Sequence, residues 1–170
     1  YFMRPRNADI KYPWELARCQ HFLTLAQAWQ FSKDARYADE VVKQIEDFRQ
    51  ANPTGIGINW TCTMDVAIRA TNWILAIAIV ENGVSEKNSS LLKSAYREIF
   101  EHGVFIFENL ENNYEVTSNH YLSNVTGLFY IGLLFKNTSR GQQWLDFSRE
   151  ALETEIDIQV TSDGADFESS

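Results

Sequence analysis

Apolar residues recur at intervals of three and four along most of the chain, and alternation at every second position is scarce. That spacing lines apolar side chains along one face of an α-helix, so the pattern predicts an all-α protein. A first helix is predicted from about Pro13, a residue suited to an opening turn. Trp14, Phe22, Leu25 and Trp29 form its stripe, which Leu16, Leu23 and Ala26 broaden. Ser32-Lys-Asp34 interrupts it, with Asp34 the expected N-cap of a second helix carrying Tyr37, Val41, Ile45 and Phe48. Asn52-Pro53 ends that helix, because proline drives the preceding residue out of helical geometry. Beyond a Gly-containing loop at 54–60, a third helix from about Thr63 to Val80 is apolar almost all round and should be buried on most sides. Asn82-Gly83 stops it. The fourth carries Leu92, Tyr96, Ile99, Gly103, Ile106 and Leu110, and the fifth, behind a polar stretch at 111–118, carries Leu122, Val125, Phe129 and Leu133. A sixth starts near Gly141 and shows Leu145, Leu152 and Ile156, after which residues 158–164 alternate briefly and turn.

About six helices joined by short loops pack as antiparallel neighbours, and no fixed repeat marks a consensus solenoid. The 170 residues match the size of one domain, and 45% apolar content with eight Gly and three Pro excludes disorder and collagen. Fifteen basic residues against twenty-three acidic ones leave a net charge of -8, so no general basic field exists to bind nucleic acid. The most apolar stretch, 73–80, falls short of the ~18 residues that span a bilayer, and no membrane partner is expected. Tyr1-Phe2-Met3-Arg4 reads as an internal start and 163–170 ends without a helix cap. A piece of something longer is expected, with any secretory signal upstream.

The familiar hydrolase, nucleotide and zinc-protease motifs are missing, and no cofactor or metal is indicated. Cys19 and Cys62 form no CxxC and are expected as small core residues. His21 and His102 lie beside apolar stripes and are expected to be structural, whereas Asp39, Glu40, Glu46 and Asp47 fall on predicted solvent faces. Trp60, Trp73, Trp144, Tyr114 and Tyr121 gather near helix ends and loops. Aromatics around a cleft grip sugar rings, and core packing is the alternative. Residues 117–122 bring Asn119, His120 and Tyr121 to the opening of a helix capped by Ser118, where unpaired N–H groups and the helix dipole favour an anion. An amide, an imidazole and a phenol there suit a carboxylate-bearing substrate. Residues 163–168 hold an Asp-Gly turn with three carboxylates able to orient cations or sugar hydroxyls.

The order of motifs is itself informative. Tyr12-Pro-Trp-Glu-Leu-Ala-Arg18, Asn52-Pro53, Gly57-Ile-Asn-Trp60, Ala67-Ile-Arg-Ala-Thr-Asn-Trp73, Ser118-Asn-His-Tyr121 and Asp163-Gly-Ala-Asp-Phe-Glu168 follow one another along the chain. This series resembles the heparinase II/III family of polysaccharide lyases from about Lys11 to the end. The resemblance implies one α/α-toroid domain over residues 1–170, an incomplete toroid of helical hairpins, with a β-sandwich domain of the same chain following it. It implies β-elimination at uronic acids of an acidic polysaccharide, heparan sulfate, heparin or alginate-like, in the periplasm or outside the cell. Asn119 matches the residue that neutralises the substrate carboxylate, with His120 and Tyr121 beside it in the motif. Trp60, Arg69, Trp73 and Glu168 are the expected substrate-binding residues. The family's catalytic Tyr and a catalytic His lie beyond Ser170, so the 170 residues alone are expected to be inactive. A polyanionic substrate and a charge of -8 conflict unless basic residues line the groove. Arg18 and Arg69 are the candidates, with ion pairs to Glu15 or Asp65 as the alternative. The competing readings are a glycoside hydrolase on a similar toroid, using Glu168, Asp166 and Asp65, and a non-catalytic carbohydrate-binding helical scaffold.

Overall fold

The computed structural model describes residues 9–112 and 118–165. The described residues form seven α-helices and no β-strand: α1 Lys11–Ala17, α2 His21–Ser32, α3 Ala35–Ala51, α4 Thr63–Val80, α5 Ser89–Glu108, α6 Asn119–Leu134 and α7 Ser139–Gln159. Short 3₁₀ turns at Ile58–Trp60, Glu81–Gly83 and Glu86–Asn88 punctuate the connections.

Side-chain caps set three of the helix starts. Asp34 Oδ1 accepts from Arg36 N at 3.0 Å at the head of α3, as its sequence position predicts. Ser118 Oγ accepts from Tyr121 N at 3.4 Å ahead of α6, and Thr138 Oγ1 accepts from Gly141 N at 3.0 Å ahead of α7. Each cap satisfies a first-turn donor that has no partner within its own helix.

Three expectations need correction. The first predicted helix is two helices, broken at Cys19, whose φ of 55° is left-handed. The break lets Phe22 and Ala26 turn inward while Leu16, expected on the same stripe, is 73% exposed. Helix α7 runs on through Gln159, and its alternating close reflects outward-facing Ile156 and Ile158 around a buried Glu155–Gln159 pair joined at 2.5 Å. Asp39 does not face solvent. It is buried and accepts from the Ser85 backbone N–H at 2.8 Å and from the Ser85 hydroxyl. Burial pushes its carboxyl up, but the hydrogen bonds from Ser85 and Asn88 outweigh that and hold it below the usual range.

Helix α4 is the axis of the molecule and packs against α1, α2, α3, α5 and α6. Its span Thr63–Gly83 has the length and mean hydropathy (1.4) of a membrane-crossing helix, contrary to the expectation from the run at 73–80. Sixty-one per cent of that window is buried inside the protein, and burial on so many sides accounts for its apolarity. Phe22, Ile45, Trp73, Ile77, Ile99, Leu128, Ile131 and Trp144 form a continuous core around it. Close approach needs small residues. A Cβ on Gly127 of α6 would sit 2.8 Å from Ala67 Cβ of α4, and one on Gly83 would sit 2.0 Å from Trp29 Nε1. Helix α4 ends at Val80, ahead of the expected Asn82-Gly83 stop, and Gly83, which has no left-handed φ, instead makes room for Trp29.

Candidate functional site

Two helix starts meet at one place. Cys62, in extended geometry, is the N-cap residue of α4, and Asn119 and His120 open α6. Glu111 ties them together. Its backbone N–H donates to Asn124 Oδ1 at 2.8 Å, and its Oε2 accepts from Met64 N at 2.7 Å and from Asn124 Nδ2 at 3.2 Å. The carboxylate thus serves a first-turn donor of α4 that the helix itself cannot satisfy. The other oxygen, Oε1, lies 3.1 Å from His120 Nδ1. With Nδ1–H donating to Glu111, the neutral imidazole keeps Nε2 as its acceptor. The His120 side chain is 43% exposed, open enough to meet a ligand.

His120 forms one wall of a cavity of about 230 Å³, shared with Lys11, Trp14, Arg18, Cys62 and Asp65. Arg18 pairs with Asp65 Oδ1 at 2.6 Å and with Glu15 Oε1 at 2.7 Å, the ion pairs given as the alternative to a groove-lining role, and it lines this cavity as well. Asn72 Nδ2 donates to Arg18 O at 2.8 Å and pins the chain at the break between α1 and α2. Cys62 Sγ lies 4.0 Å from His120 Nδ1. Burial pushes its thiol up to about 12, opposed by a hydrogen bond from the Asp65 backbone and reinforced by the Asp65 and Glu111 carboxylates.

The remaining predicted residues part company with this cavity. Asn119 is half-buried at the head of α6, adjacent to His120. Tyr121 is only 7% exposed and lines a different hollow, of about 390 Å³, with Phe147, Glu150 and Glu155 of α7. Burial and then the Glu155 charge push its phenol up. Successive helix positions point about 100° apart, so His120 and Tyr121 serve different sides of α6. Trp60, Arg69 and Trp73 lie in the interior, at 4%, 0% and 0% exposure, and present no face to a polysaccharide. Arg69 Nε donates to His102 Nε2 at 2.9 Å, and its guanidinium stacks over Phe48 and Trp60 at 4.5 and 5.0 Å. Burial pulls Arg69 down to about 10 against the pull of Cys19, Asp65 and Glu98. Trp144 is buried as well. Glu168, Asp166 and Tyr114 lie outside the described residues. Gly164, at φ 87°, and Asp163, which accepts from Ala165 N at 3.3 Å, form the predicted turn.

Lys11, Cys62 and Glu111 are the site residues that sequence reasoning missed. Glu111 sits in a polar stretch with no motif, and only its contact with the head of α4 gives it a role. A larger hollow of about 400 Å³ between α1, α2 and α3 is mostly apolar, and its one imidazole, His21, is engaged with Gln44 Oε1 at 2.8 Å.

A family model for the heparinase II/III N-terminus matches residues 1–170. The chain belongs to the heparinase II/III family. Among curated relatives, a heparin-sulfate lyase from Bacteroides thetaiotaomicron is 24% identical over 163 residues, covering 94% of this chain and 23% of that protein. A heparin-sulfate lyase from Pedobacter heparinus is 24% identical over 169 residues, covering 95% and 24%. The crystal structure of a heparan sulfate lyase from Pedobacter heparinus superposes with a TM-score of 0.78 at 22% identity, over 98% of this chain and 26% of that one. The chain thus spans about a quarter of the length of these heparinase relatives and shares their helical fold.

Proposed function

We propose that this chain is the helical part of a polysaccharide lyase that cleaves an acidic polysaccharide, heparan sulfate-, heparin- or alginate-like, by β-elimination at its uronic acids. Family membership supports the reaction class. The observation that carries the assignment to this site is the Glu111-held His120 beside Asn119, on a cavity whose rim holds Lys11 and Arg18. Removing the proton α to a carboxylate piles negative charge onto a group already charged. The Asn119 amide, donating to that carboxylate, stabilises the enolate-like intermediate more than the ground state. His120, with Nδ1 committed to Glu111, offers Nε2 as a proton acceptor. Lys11 and Arg18 are the cations at this cavity, Arg18 shared with Glu15 and Asp65, so on this reading the further positive charge a polyanion needs comes from the rest of the protein. A Tyr acid toward the leaving oxygen comes from beyond Ser170, as the family resemblance implies. On this reading the hairpins are the opening arc of an incomplete α/α toroid, a β-sandwich completes the enzyme, and the protein works in the periplasm or outside the cell. Asp65, the described carboxylate of the hydrolase alternative, is committed to Arg18.

Absorbance of the unsaturated uronate product, on heparan sulfate and on alginate, tests the reading. Asn119→Ala in the intact protein should cost roughly two to three orders of magnitude in kcat, as loss of an oxyanion-type donor does. The 170 residues alone should give no product. New reducing ends without the absorbance, or an undiminished Asn119→Ala variant, would refute the proposal.

A further inference from the structure

Cys62, Glu111 and His120 present a thiol sulfur, a carboxylate oxygen and an imidazole nitrogen, all within 4.8 Å of one another. The reaction proposed above has no use for the thiol. Ligand atoms around a tetrahedral zinc ion, with bonds of about 2.0–2.3 Å, stand about 3.3–3.6 Å apart. Glu111 Oε1 and His120 Nδ1 are 3.1 Å apart, and Cys62 Sγ and His120 Nδ1 are 4.0 Å apart. Changes of about an ångström in side-chain position bring all three to coordination distance. We propose that Cys62, Glu111 and His120 bind a soft divalent cation, zinc above all, with the fourth position open to the cavity.

The surroundings are built for this. Met64 N and Asn124 Nδ2 hold Glu111 Oε2, which fixes Oε1 as the oxygen that faces His120. Outer partners of this kind orient metal-binding carboxylates. Asp65 Oδ2 is buried in the wall of the same cavity and has no hydrogen-bond partner among the described residues. A cation, or water bound to it, would satisfy that oxygen. Binding displaces the thiol proton. Sulfur and imidazole donors select zinc over magnesium or calcium, which take oxygen. One consequence rests on the lyase reading: a cation on Nδ1 replaces the His120–Glu111 hydrogen bond and so inhibits elimination.

Cobalt(II) titration of the intact protein, standing in for zinc, tests the site through the thiolate-to-cobalt charge-transfer absorption. The expected result is a one-site band, displaced by equimolar zinc and indifferent to excess magnesium or calcium. Cys62→Ser should abolish the band while Cys19→Ser retains it. Glu111→Gln and the half-exposed His120→Asn should each weaken zinc binding at least about tenfold. Circular dichroism confirms that each variant is folded. The proposal is overturned by a band that survives Cys62→Ser, by no band in the folded wild type, or by displacement with magnesium. The titration needs no turnover, so the two readings fail separately. Zinc bound through these residues in a protein whose metal-free form has no eliminase activity sinks the lyase, and eliminase activity without the band sinks the metal site.

Discussion

Acidification from pH 7.5 to 5.0 should strain one side chain above the others. His102 on α5 is 0% exposed. Its Nδ1–H donates to Glu98 O at 2.8 Å, and its Nε2 accepts from Arg69 Nε at 2.9 Å. Both nitrogens are committed to the neutral ring, and burial followed by the Arg69 charge pushes its pKa well below the usual value. The unfolded chain, with a histidine pKa of ~6.5, takes up a proton that the folded chain refuses. Below that value ν_U exceeds ν_N, so stability falls as the pH falls, by up to ~1.4 kcal/mol per unit. The accumulated loss at pH 5.0 is about 2 kcal/mol relative to pH 7.5. Glu98, whose carboxyl is pushed up by burial, works in the opposite direction at the acid end of this window. His102→Gln keeps a donor and an acceptor but cannot titrate, and Glu98, whose Oε1 lies 3.8 Å from His102 Nδ1, is retained in both proteins. Urea unfolding at both pH values should show the wild type losing about 2 kcal/mol more than the variant. Equal losses, or an imidazolium NMR signature for folded His102 at pH 6, would refute the buried neutral ring.

Packing makes two further predictions. Gly127→Ala forces a methyl against Ala67 and should cost about 1–3 kcal/mol, read as a lower thermal midpoint; an unchanged midpoint contradicts the contact between α4 and α6. Trp73→Ala should cost about 3–5 kcal/mol while leaving KM for the polysaccharide unchanged in the folded fraction, whereas a raised KM at full stability would restore Trp73 as a sugar contact.

Much of the helical framework is legible in the chain because the local chemistry is unambiguous. Asp34 and Ser118 are short polar side chains ahead of apolar periods, and Pro53 leaves α3 nowhere to go. The break at Cys19 carries no such sign. A non-glycine residue rarely adopts a left-handed φ, and this one is held by contacts made 54 positions away, from Asn72 to Arg18. Trp60, Arg69 and Trp73 mislead for a related reason: the same residue types suit a sugar cleft and a core, and only the enclosure of α4 by its neighbours decides. His120 is legible from its cap. Its partnership with Cys62 spans 58 positions and exists only because the heads of α4 and α6 converge.

Gln159 Nε2 donates to Ser118 O at 3.1 Å, which brings the last residue of α7 to the residue before Asn119. At no more than ~3.6 Å per residue, Asp163 remains within about 15 Å of Gln159. The chain leaving α7 therefore sets out beside the residue that caps α6, and the turn at residues 161–165 lies within the same reach. Because few residues separate Gln159 from that turn, ordering them costs little entropy, and the hydrogen bond to Ser118 couples the end of α7 to the start of α6.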